Sequence, residues 1–112
     1  QNTSVEVADT LRKRRIGLGK RAELKKNWGM LFVFNELKTH RFWMKDMNFP
    51  LDIIWLENRR IVYIIENVQP TRSRENPTIL EPILPANFVL EIAAGRVNEL
   101  NLKQGDFLSY KF

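Results

Sequence analysis

The sequence has no cysteine. That excludes a disulfide framework, a thiolate metal site and a cysteine nucleophile. Histidine is nearly absent too: His40 is the one copy. Zinc sites ordinarily draw on several His or Cys ligands, so no metal is expected, and no cofactor either. No glycine-rich phosphate loop and no nucleophile elbow occurs. A serine–histidine–acid triad would have to combine His40 with Ser4, Ser73 or Ser109, and nothing in the spacing positions these residues together. Long apolar runs are missing as well: none approaches the roughly 18–20 residues that cross a bilayer. There is no signal peptide. The chain opens on Gln1 rather than Met, so residues 1–3 are expected to be a disordered or processed remnant. An extracytoplasmic site, with a leader removed, is favoured over the cytoplasm.

What is present fits one domain. The 112 residues are 44% hydrophobic and 28% charged, which is ordinary for a globular chain able to bury its own core. Charge is distributed unevenly. Between Arg12 and Lys26 there are eight bases and one acid, a local +7; the remainder carries ten bases and twelve acids, and the whole is +5. Such a segment attracts phosphates, anionic lipid or acidic partners, though a solvated surface is the simpler explanation. It contains no aromatic residue, which argues against single-stranded nucleic acid.

Hydrophobic patterning predicts a mainly β chain. Strands are expected over 4–9, 28–34, 40–47, 51–57, 61–68, 87–93 and 107–112, with turns at 35–39, 48–50, 58–60 and 105–106. One helix is expected over 11–18, capped by Asp9 or Thr10, stopped by Gly17 and Gly19, and turning a thin stripe of Leu11, Ile16 and Leu18 inward. A helical turn is expected near 95–100. Segment 69–85 carries four prolines and is expected to be a long loop with a short extended piece at 78–80. Short connections suggest a meander of hairpins. The expected architecture is a compact β-sandwich or partly closed barrel of about six to seven strands.

The unusual feature is ionisable residues inside apolar strands. Parity assigns Trp43 and Lys45 to one face of their strand, Asp52 to a face shared with Ile54 and Leu56, Glu66 to one shared with Ile64, and Glu91 to one shared with Val89 and Ala93. Buried charges are costly unless paired, so some of these groups are expected to meet in a shared polar pocket. The simpler alternative leaves each half-exposed at a strand end, its alkyl stem covering the core.

Six blocks occur in register: GMLFVF from Gly29, FWMK from Phe42, PLDII from Pro50, IVYIIENVQP from Ile61, VLEIAAG from Val89 and QGD from Gln104. In order and spacing the chain resembles the prokaryotic domain of unknown function family 192. It departs from the family pattern at Gly19 and at Asp46-Met47. The resemblance implies a compact β-sandwich, often behind a signal peptide or lipoprotein leader, and no established activity. Its matching positions include Trp43, Lys45, Asp52, Glu66 and Glu91, the residues that parity had singled out. The expectation is therefore a small-ligand site in which Lys45 supplies positive charge, Trp43 an apolar wall and the three acids acceptors, suited to a polyol, a sugar or an amine. Two other readings stay open: a carboxylate-based hydrolase acting on cell-envelope glycan, and a module docking onto an anionic surface through residues 12–26.

Overall fold

The computed structural model describes residues 3–19, 21–40, 42–43, 47–70, 79–80, 82 and 84–109. Among them, seven strands and two short helices form. They are β1 (Ser4–Ala8), α1 (Leu11–Ile16), β2 (Trp28–Lys38), β3 (Phe42–Trp43), β4 (Leu51–Glu57), β5 (Arg60–Val68), β6 (Ile79–Leu80), β7 (Ala86–Ala93) and α2 (Arg96–Glu99). Five strands make one mixed, open sheet in the order β1-β2-β7-β4-β5, and β3 pairs with β6 in a small second sheet. The mainly β architecture with a short N-terminal helix is as expected.

The predicted meander is corrected. Among the described residues only β4 and β5 are a hairpin, turning through Asn58 and Arg59 with Asn58 in the left-handed region at φ 56°. β1 runs parallel to β2, which requires the crossover that α1 and segment 17–27 provide. β7 inserts between β2 and β4, antiparallel to both. Strand neighbours of this kind depend on long-range pairing that local turn signals do not encode. The signal that was available is β4 itself: Leu51 through Leu56 are all buried, as befits a central strand covered on both faces.

Three boundaries also change. β2 continues to Lys38 through the expected turn at 35–39, with a shift of register after Val33. The predicted 40–47 strand is represented by Phe42–Trp43, while residues 41 and 44–46 lie outside the described residues. In the predicted last strand, the described residues make one bridge, Phe107 to Arg60; 110–112 lie outside them. There the chain shields the outer edge of β5, with Ile61 donating to the Asp106 carbonyl at 2.8 Å and Leu108 donating to that of Arg59 at 2.8 Å.

The main sheet has a core on each face. One cluster joins Met30, Phe32, Ile53, Trp55 and Val89 to covering residues Leu18 and Met47, with Phe49 and Leu80 packed against it. The other joins Leu31, Ile54, Leu56, Leu90 and Ile92 to Val97 of α2, with Leu102 and Leu108 against it. Gly29 permits the close packing of β2 on β7. A Cβ there would stand 2.6 Å from the Glu91 carbonyl oxygen and 2.8 Å from Ile92 Cγ2.

α1 begins as expected, with Thr10 Oγ1 accepting from the Lys13 amide at 3.1 Å. The predicted inward stripe is wrong for two of its three members. Leu18, beyond the helix end, is buried, but Leu11 and Ile16 are exposed. The helix buries none of its residues and instead meets the sheet through Arg14, which donates to the Val33 carbonyl at 2.8 Å.

Candidate functional site

Asp52 is fully buried, and its neighbours explain why a carboxylate stands in this strand. Oδ1 accepts from the Asn67 amide at 2.8 Å. Oδ2 accepts from Gly95 at 3.0 Å and from Val97 at 2.9 Å. Asn67, at φ 53°, lies where two residues of β5, Glu66 and Asn67, stand opposite one of β4, Asp52, a bulge that frees an amide from the ladder. Gly95, at φ 95°, precedes α2 and has no side chain to cap it. Asp52 thus caps α2 from another strand and ties it to the bulge. Carboxylates accepting backbone N–H bonds at a helix start are favourably placed.

Glu91 presents the opposite case. Its register partners are Met30 in β2 and Ile53 in β4. It therefore projects from the other face of the sheet, among the apolar residues around Trp55. It is 5% exposed. Among the described residues its carboxyl has no hydrogen bond or ion pair. Burial raises its pKa from 4.5 to about 8, because removing a charge from water favours the protonated acid. Met47 packs in the apolar cluster on that face, with Trp55.

The expectation that Asp52, Glu66 and Glu91 share one hollow is corrected. Asp52 and Glu91 lie on opposite faces of the sheet, since Asp52 pairs with Ile92 and Glu91 with Ile53. Glu66 is exposed beside the bulge in β5. Parity placed each residue on a face of its own strand; it could not align one strand's faces with another's. Trp43 belongs to β3, where its backbone pairs with Ile79, and Lys45 lies outside the described residues.

His40 is buried and stacks on Phe34 with ring centroids 3.6 Å apart, while the Arg14 guanidinium lies 5.2 Å from the Phe34 centroid. Burial, above all, lowers the His40 pKa. Among the described residues no group of three His, Asp or Glu side chains could hold a metal ion. No helix among them is long and apolar enough to cross a membrane.

The basic segment is partly neutralised. Lys13 approaches Asp9 at 3.7 Å, Arg21 pairs with Glu6, and Lys26 reaches Glu99 at 3.1 Å. Glu99 also accepts from Arg96 at 2.9 Å, and these cations, Arg96 first, hold its pKa below the usual carboxylate range. Arg12, Arg15 and Lys25 are exposed and have no ion pair among the described residues.

Sequence patterning gave no hint of a cleft of about 370 Å³ at the β4–β5 hairpin end, lined by Glu57, Arg60, Val62, Leu84, Pro85 and Gln104 among others. Its walls come from three distant parts of the chain, and no local motif records their meeting.

A family model, DUF192 (Uncharacterized ACR), matches residues 1–110. No curated protein matches the chain. Two solved structures are similar to it. One is a candidate transcription regulator from Sinorhizobium meliloti 1021, 35% identical with a TM-score of 0.85, covering 94% of this chain and 79% of that one. The other is a protein of unknown function from Novosphingobium aromaticivorans DSM 12444, 34% identical with a TM-score of 0.84, covering 95% of this chain and 74% of that one.

Proposed function

The chain belongs to the DUF192 family of uncharacterized proteins, and from that premise we propose that it is a small-ligand-binding domain whose polar centre is the Glu91 carboxyl. The observation carrying this reading is a carboxyl buried on an apolar sheet face with no hydrogen bond or ion pair among the described residues. Buried polar groups are ordinarily satisfied. A carboxyl that meets no partner among the described residues is suited to a ligand that supplies one. With its pKa at about 8, Glu91 keeps its proton at neutral pH and can both donate and accept. That suits a hydroxyl of a polyol or sugar. It also suits an amine, which would form an ammonium–carboxylate pair in place of the bare acid.

Trp43 and Lys45 complete the proposed site as apolar wall and positive charge. Asp52 and Glu66 do not join it: the first has both oxygens engaged by backbone amides, the second faces solvent. The same separation removes support for a glycan hydrolase built on Asp52 and Glu91, since that chemistry needs two carboxyls across one cleft. The description of the Sinorhizobium protein as a regulator would call for a groove-reading element. The six-residue α1 is shorter than such a helix needs.

Calorimetric titration with glycerol, glucose, glucosamine and spermidine tests the reading, using the native chain, Glu91→Gln and Lys45→Met. At least one compound should bind the native chain, and binding should be lost in the folded Glu91→Gln protein. Polyol binding should decline above about pH 8 as Glu91 ionises, whereas amine binding should persist. Failure of all four to bind, or unchanged binding by Glu91→Gln, would overturn it.

A further inference from the structure

We propose that the outer face of α1 docks the domain onto an anionic lipid surface, independently of any ligand at Glu91. At about 100° per residue, positions 11, 12, 15 and 16 fall within one arc of roughly 140°. They are Leu11, Arg12, Arg15 and Ile16. The two aliphatic side chains are 65% and 56% exposed. Both arginines are exposed and have no ion pair among the described residues. The opposite arc carries Lys13 and Arg14, and these are the cations already engaged, one by Asp9 and the other by the Val33 carbonyl. The helix therefore sorts its cations. Lys13 and Arg14 are occupied, the first by an exposed acid and the second against the sheet, and Arg12 and Arg15 stand without an ion pair among the described residues beside two unburied aliphatic side chains.

That combination selects the partner. A nucleic acid would engage the guanidinium groups but gain little from Leu11 and Ile16, and the stacking aromatics it favours are missing from residues 11–26. At a bilayer surface both residue types are used. Aliphatic side chains enter the boundary between headgroups and acyl chains, and guanidinium groups engage the phosphates. Arginine stems can lie along the apolar boundary with their charges in the headgroup layer. With only two residues of each kind, attachment is weak and reversible. Each arginine near an anionic surface contributes about 1 kcal/mol, or about fivefold in partitioning.

The test is co-sedimentation of the full chain with phosphatidylcholine vesicles, with and without phosphatidylglycerol. Binding should require phosphatidylglycerol and weaken as salt rises. Arg12→Gln with Arg15→Gln should reduce it about 25-fold, taking the fivefold contributions together. Arg12→Lys with Arg15→Lys should retain most of it. Leu11→Ser with Ile16→Ser should reduce it about tenfold or more, through lost apolar insertion. All four positions are exposed, so circular dichroism and the thermal midpoint should stay unchanged. The proposal is overturned if the native chain ignores anionic vesicles, or if the aliphatic substitutions leave binding intact. It is also overturned if an RNA oligonucleotide binds more tightly than the vesicles and responds only to the arginine substitutions.

Discussion

Replacing Glu91 by Gln should remove a pH-dependent loss of stability that the native chain carries. In the folded protein the Glu91 pKa is about 8, against 4.5 for an unburied glutamate. Between those values the native state holds a proton that the unfolded chain has released. Stability therefore falls as pH rises through this window, fully retained below the unfolded value and levelling off above the folded one. At about 1.4 kcal/mol per pH unit, the rise from 4.5 to about 8 amounts to roughly 4–5 kcal/mol overall, of which about 3 kcal/mol is lost by pH 7. Gln has nearly the same shape and cannot ionise. Urea denaturation of both proteins across about pH 5 to 9 should give curves that nearly coincide at the acidic end and diverge as pH rises, the variant being the more stable. Parallel curves would refute the reasoning, since they would mean that Glu91 does not titrate differently in the two states. A variant less stable at neutral pH would refute it differently: a cation, with Lys45 the candidate, would then be meeting an ionised Glu91.

Asp52→Ala should destabilise the fold by about 3–5 kcal/mol, because three backbone N–H groups lose their acceptor in a buried setting. Hydrogen exchange should accelerate first at Asn67, Gly95 and Val97, and a loss below about 1 kcal/mol would show that water replaces the carboxylate easily. Gly29→Ala should cost about 1–3 kcal/mol in a chemical melt, since the new methyl meets the Glu91 carbonyl and Ile92, and β2 must move away from β7 to admit it.

Much of this protein follows from local physics. The strand positions over 51–57, 61–68 and 87–93 reflect runs of apolar and β-branched residues, and the structure has strands there. Thr10 caps α1 because a hydroxyl at that position can satisfy a free amide of the first turn. The absence of cysteine and the clustering of bases over 12–26 are matters of composition. Even the anomaly of acids inside strands is visible without coordinates.

Tertiary structure decided what those acids do. Asp52 and Glu91 look alike along the chain, each a carboxylate between large apolar neighbours. They diverge because register places Asp52 over the bulge and the start of α2, where three unsatisfied amides converge, and places Glu91 between Met30 and Ile53, where none does among the described residues. Insertion of β7 between β2 and β4 sets both environments, and that pairing joins segments far apart in sequence. Leu11 and Ile16 show the same dependence: their apolar character is local, but whether α1 turns them inward depends on how Arg14 docks against the sheet. Composition sets which groups are costly to bury; the arrangement of strands in space determines which of them find a partner.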